Sequence, residues 1–117
     1  MRYIVDDVEA AVGFYQRLGF AVKEQFGATI AIMHRDDLEL WVAGPAASAS
    51  RPMPDGRRPE PGGWNRFVVV VDDLDRVVAE LAADGVRFRN EVVTGPGGRQ
   101  ILCEDPAGNV VELFEPA

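Results

Sequence analysis

The sequence predicts an α+β domain made of two tandem β-α-β-β-β modules whose strands form a curved mixed sheet around a cleft. The first observation behind this is a repeat. Tyr3-Ile4-Val5-Asp6-Asp7-Val8 reappears as Val69-Val70-Val71-Asp72-Asp73-Leu74, at an offset of 66. The second is that Leu18-Gly19-Phe20 matches Asp84-Gly85-Val86 at the same offset, while Leu38-Glu39-Leu40 matches Val111-Glu112-Leu113 at an offset of 73. The third is a proline-rich stretch between the copies. A repeat this long means two supersecondary units sharing a core, with any site expected where the copies face each other. The chain then reads as a single domain over residues 1–117, with module 1 at 1–43, a linker at 44–63 and module 2 at 64–117.

In module 1, residues 2–6 centre on Tyr3-Ile4-Val5, apolar and partly β-branched, and predict a strand. Asp6, Asp7 and Glu9 put negative charge at a helix start, where the macrodipole favours it. Val8, Ala11, Val12, Tyr15 and Leu18 keep helical spacing, and Gly19 supplies the stop. Residues 21–26, 28–34 and 38–43 read as three strands, with His34-Arg35-Asp36-Asp37 as a polar turn before the last.

Module 2 follows the same plan. Residues 66–72 predict a strand. Asp72, Asp73 and Asp75 open a helix with Leu74, Val77, Val78 and Leu81 on one face, and Gly85 closes it. Residues 86–93, 99–104 and 109–115 predict the later strands. Thr94 to Gly98 reads as a loop, bringing Arg99 and Gln100 towards the cleft rim. Asp105-Pro106-Ala107-Gly108-Asn109 reads as a tight turn, since Pro fixes φ while Gly and Asn tolerate positive φ.

The linker holds Pro45, Pro52, Pro54, Pro59 and Pro61, a density that cannot continue a strand or a helix. Its length suits either a connector anchored by Trp64 or a flap over the site.

Composition narrows the function classes. A chain of 117 residues with 47% hydrophobic and 26% charged residues is an ordinary globular domain. A net charge of -7 argues against nucleic acid or an anionic membrane as partner. No apolar run approaches the ~18 residues of a membrane span, and no targeting or lipidation motif is evident. Cys103 is the only cysteine, so no intrachain disulfide can form, which suits a cytoplasmic location.

Strand alternation locates the site. Leu38, Leu40 and Val42 share one face, opposite Glu39 and Trp41. Val111 and Leu113 share one, opposite Glu112 and Phe114. With the aliphatic faces turned to the helices, Glu39/Trp41 and Glu112/Phe114 are left on the concave face. Two carboxylates amid aromatics are candidate metal ligands or acid/base groups, unless each is solvated or paired with an arginine. His34, the only histidine, reads as an exposed turn residue. Cys103 reads as a small buried hydrophobe, because no activating histidine accompanies it.

The paired modules resemble the vicinal oxygen chelate superfamily, the glyoxalase/bleomycin resistance protein/dioxygenase group. The matching motifs are Val5-Asp6-Asp7-Val8, Phe14-Tyr15 and Leu18-Gly19-Phe20 in module 1, and Asp105-Pro106-Ala107-Gly108-Asn109 with Val111-Glu112-Leu113-Phe114 in module 2. The resemblance implies metal ligands at the final-strand glutamates, here Glu39 and Glu112. It also implies a ligand on each first strand, six residues before the helix-opening aspartate. Those positions hold Met1 and Phe67, which do not suit a divalent metal, and two carboxylates fall short of about three protein ligands.

The expected function is therefore that of a glyoxalase/bleomycin-resistance-like small-molecule binding protein, similar to the drug-sequestering antibiotic resistance members and needing no metal. Met1, Tyr3, Trp41, Phe67 and Phe114 would line an apolar cleft for a planar or aromatic ligand. Trp64 would flank it, and Arg66 or Arg99 would meet an anionic group. The alternative is a metal-dependent lyase, isomerase or dioxygenase of the glyoxalase type, with Zn, Ni, Mn or Fe on Glu39 and Glu112. A homodimer is expected, because open curved sheets need a partner for their edges.

Overall fold

The computed structural model describes residues 1–117. The chain divides into two compact units, Met1–Gly62 and Gly63–Ala117. The proline-rich segment thus belongs almost wholly to the first unit.

Unit 1 contains β1 (Arg2–Ile4), α1 (Val8–Arg17), β2 (Ala21–Phe26), β3 (Ile30–Arg35) and β4 (Leu38–Ala43). The strand order is β1-β4-β3-β2, with β1 parallel to β4 and the other neighbours antiparallel. The Asp7 carboxylate caps α1 by accepting the Ala10 N–H at 3.1 Å. Val8, Ala11, Val12, Phe14 and Tyr15 turn inward. Their core partners on the sheet are Tyr3, Ala31, Met33, Leu40 and Val42, all buried. Phe14, Tyr15 and Phe20 meet edge to face, with ring centroids 4.9 and 5.5 Å apart in succession. A bulge between Val22 and Glu24 interrupts the edge strand β2 at Lys23.

The segment after β4 is more ordered than a bare connector. It contains one 3-10 turn at Ser48–Ser50, and the Ser50 hydroxyl donates to the Gly44 carbonyl at 2.7 Å. Gly44 is required by close approach, since a Cβ there would stand 2.9 Å from both the Ala28 carbonyl and the Val8 side chain.

Unit 2 contains β5 (Phe67–Val70), α2 (Leu74–Ala83), β6 (Arg87–Phe88), β7 (Val93–Gly95), β8 (Gly98–Glu104) and β9 (Val110–Pro116). The order is β5-β9-β8-β6, with β7 also on β8, and β5 runs parallel to β9. The Asp73 carboxylate caps α2 by accepting the Arg76 N–H at 3.2 Å. The strand expected over 86–93 is broken in two. At the break the Asn90 side-chain Oδ1 accepts the Leu102 N–H at 3.0 Å, in place of a main-chain acceptor. The turn after β8 forms as expected. Buried Asp105 accepts the N–H groups of Ala107 and Asn109 at 3.0 and 2.8 Å and the Asn109 amide at 3.0 Å.

Backbone pairing also corrects the repeat. The Val5 N–H donates to Ala43, and the Val71 N–H donates to Phe114. Val5 and Val71 differ by 66, but Ala43 and Phe114 differ by 71 rather than 73. Structurally, Glu112 corresponds to Trp41, and Glu39 corresponds to Val110. The Leu-Glu-Leu and Val-Glu-Leu match is therefore slipped by two residues, a shift that preserves the sheet face and so leaves the alternation pattern unchanged.

Candidate functional site

Each sheet has a helix-covered face and an open face, and register assigns every candidate residue to one or the other. In unit 1, Gln25 reaches the Glu9 carboxylate of α1 at 2.8 Å, so its face is the helix face. Cross-strand pairing places Ala31, Val42 and Tyr3 on that same face. Tyr3 is thus a core residue, not a lining residue as expected, and it is only 8% exposed. Met1, two positions before Tyr3, is half exposed and does not share the Trp41 face by alternation. The β1 residue that does is Arg2, paired in register with Trp41.

The open face of unit 1 carries Arg2, Ile32, His34, Glu39 and Trp41. Glu39 and Trp41 are joined directly, because the indole N–H donates to Glu39 Oε1 at 2.6 Å. The Lys23 ammonium, placed by the bulge, reaches Glu39 Oε2 at 3.2 Å. The indole bond and then the lysine hold the Glu39 carboxyl below its usual pKa. The Arg2 guanidinium lies over the Trp41 ring, 5.0 Å from its centroid. Exposed His34 pairs in register with Glu39, and both line a hollow of about 310 Å³ with Lys23, Asp36, Asp37 and Leu38.

In unit 2, the Arg99 and Glu115 pair sits on the helix face. Arg99 binds Asp75 at 2.6 Å and Glu115 at 3.4 Å, and Glu115 accepts the Leu74 N–H at 2.9 Å. Arg99 therefore clamps the start of α2, contrary to its expected place at the cleft rim. The hydrogen bond to Asp75 raises the Arg99 pKa against the opposing effect of burial, and the charges of Asp75 and Glu115 add to it. Phe67 pairs with Val111 and is also on the helix face, only 9% exposed. Cys103 is fully buried there, and burial pushes its thiol up to about 12. It is chemically inert, as its apolar setting implies.

The open face of unit 2 carries Val68, Val70, Gln100, Leu102, Glu104, Glu112 and Phe114. Arg66 covers Glu112: its Nε and Nη2 donate to Glu112 Oε1 at 3.1 and 2.9 Å. Half-buried Phe114 and Gln100 line a hollow of about 260 Å³ with Val93 and the turn at Gly95–Gly98. Trp64 is 68% exposed, and the Arg89 guanidinium lies 4.5 Å from its ring centroid. Arg89 also binds Glu104 at 2.8 Å and the carbonyls of Gly63 and Gly108 at 2.6 and 3.0 Å. Trp64 is thereby fastened to its own unit.

Sequence reasoning missed Lys23 and Arg89, since a bulge and an interrupted strand leave no local signature. Arg2 and the Arg66–Glu112 pairing were within reach, because residues 66, 68 and 70 share a parity, as do 2 and 4.

The donor chemistry does not match a divalent-metal centre. Glu112 faces an arginine, Glu39 faces a lysine and an indole N–H, and no group of three or more His, Cys, Asp or Glu side chains is placed to hold a metal.

No helix is long and apolar enough to cross a membrane. No curated protein matches the chain. Among solved structures, it is similar to a member of the glyoxalase/bleomycin resistance protein/dioxygenase superfamily from Sphaerobacter thermophilus DSM 20745. The identity is 29%, with a TM-score of 0.71, over 98% of this chain and 93% of that one. It is similar to TnmS3, an antibiotic binding protein from Streptomyces sp. CB03234, at 26% identity and a TM-score of 0.69, over 100% and 93%. A lactoylglutathione lyase from Agrobacterium tumefaciens shares the fold at 23% identity and a TM-score of 0.74, over 98% and 90%. The family model of the Glyoxalase/Bleomycin resistance protein/Dioxygenase superfamily matches residues 1–113. With the two β-α-β-β-β units and the motifs that cap them, this match means that the chain belongs to the glyoxalase/bleomycin resistance protein/dioxygenase superfamily.

Proposed function

We propose that the protein binds a small planar or aromatic molecule on its open sheet faces and does so without a metal. The observation that carries this reading is that each strand glutamate is already matched by a cation of its own unit, Arg66 on Glu112 and Lys23 on Glu39. A carboxylate so paired holds neighbouring groups in place rather than coordinating an ion. Trp41 beside Glu39, and Phe114 beside Glu112, supply stacking surface. The similarity to an antibiotic-binding protein supports the same class of ligand. The reading includes no turnover and a cytoplasmic setting. It also includes a homodimer that covers Phe26, Val68 and Val70, which are 54%, 49% and 52% exposed on the open faces. Light scattering at micromolar concentration checks the dimer, and a monomeric mass counts against it.

Elemental analysis of protein purified without chelators tests the central claim. The expected result is no stoichiometric Zn, Ni, Mn or Fe. About one ion per chain, lost on Glu112→Gln, would overturn it in favour of a metal-dependent lyase, isomerase or dioxygenase of the glyoxalase type.

A further inference from the structure

The Trp41 ring already has an occupant. Arg2 makes no ion pair and no side-chain hydrogen bond; its guanidinium rests on the indole, 5.0 Å from the centroid. An unpaired arginine on a strand edge is free to extend into water, so its position reports the attraction of the ring. Two features strengthen that attraction. The indole N–H donates to the Glu39 carboxylate at 2.6 Å, which polarises the ring towards greater electron density on its faces and fixes its plane. Lys23 holds the same carboxylate from the other oxygen, so Glu39 stays ionised and aligned. Glu24 lies on the same face, in register with Ile32, which is itself in register with Trp41. It makes no ion pair, and two strand spacings put it about 10 Å from Trp41. The net charge of -7 adds a field that draws cations towards the molecule.

We infer that the Trp41 platform is a site for planar cations, such as an amidinium or guanidinium carried on an aromatic group, and that Arg2 is its resident occupant, displaced when the ligand stacks. The inference rests on the proposed binding function and adds two things to it: the charge of the ligand and a residue that competes with it. Stacking on Trp41 defines the site, Glu24 adds a weak attraction from about 10 Å, and Arg2 sets the affinity by self-occupancy. The cost of displacing Arg2 is that of one exposed cation–π contact, which corresponds to an affinity about two- to fivefold weaker than that of the vacated ring.

The test is calorimetric titration of the full chain with three probes of one shape: benzamidinium, neutral benzamide and benzoate. Benzamidinium is expected to bind in preference to the other two. Arg2→Ala should tighten benzamide by about two- to fivefold, because an occupant blocks the ring, and benzamidinium by at least as much, because a like charge is removed with it. Trp41→Ala should abolish binding. Circular dichroism and the melting temperature check that both variants fold, and Trp41→Phe, which keeps a ring, should retain weakened binding if Trp41→Ala does not fold. If Arg2→Ala leaves the affinities unchanged or weakens them, Arg2 is not the occupant. If benzamide or benzoate binds as tightly as benzamidinium, the charge preference is wrong while aromatic binding stands. If no probe binds the wild type or Arg2→Ala, this site fails.

Discussion

Replacing Arg66 with methionine removes the guanidinium from Glu112 and keeps most of the apolar stem. Removing one member of a buried ion pair costs about 3–5 kcal/mol, because the other charge is left without a partner. Here the Arg66 side chain is 31% exposed and that of Glu112 is 11% exposed. Water therefore reaches the pair in part, and about 2 kcal/mol is the expected loss. For a chain of 117 residues this lowers the melting temperature by about 8 °C. Glu112→Gln should cost less, about 1 kcal/mol, since the amide oxygen can still accept from Arg66. The Arg66→Met/Glu112→Gln double variant should lose less than the sum of the two, with a coupling of about 1 kcal/mol. Urea unfolding at neutral pH, followed by far-ultraviolet circular dichroism, measures all three if the m-value is unchanged. A loss below about 0.5 kcal/mol for Arg66→Met, or strict additivity, would refute the view that Arg66 neutralises Glu112.

Three further outcomes follow from the same structure. Cys103, with its thiol pushed up to about 12, should react with a thiol reagent at pH 8 only as fast as the protein unfolds. Because the unfolded thiol ionises near ~8.5, the stability linked to it is present below that pH and is lost as pH rises towards 12; fast labelling of native protein would contradict this. Asp75 is held below its usual pKa by its hydrogen bond to Arg99 and then by the charge of Arg99. Its contribution is present above ~4 and lost as pH falls through the lower folded value, so the stability gap between wild type and Asp75→Asn should close in acid titration. Gly98→Ala should destabilise the β8–β9 pairing by more than about 2 kcal/mol. A Cβ there would run into the Glu115 carbonyl and stand 3.0 Å from Pro116 Cα, on a backbone with φ of +146°; a melting temperature equal to that of wild type would contradict it.

Whatever depends on neighbouring residues was settled by the sequence. Asp7 and Asp73 cap their helices because a carboxylate at the N-cap reaches the N–H three residues on as soon as the helix starts there. The Asp105–Asn109 turn closes on its own side chains. Alternation alone put Glu39 with Trp41 and Glu112 with Phe114, since the pleat has a period of two. The placement of one strand against another was decided only in the tertiary structure. A two-residue slip leaves alternation intact, so Glu39 looked like the counterpart of Glu112 until the β1–β4 and β5–β9 registers showed that Trp41 is. The same nonlocal pairing put Tyr3 and Phe67 in the core, turned Arg99 onto α2, and brought Arg66 to Glu112 and Arg2 to Trp41. These contacts join residues up to 46 positions apart, and their partners are chosen by register and packing, which no local run of residues encodes.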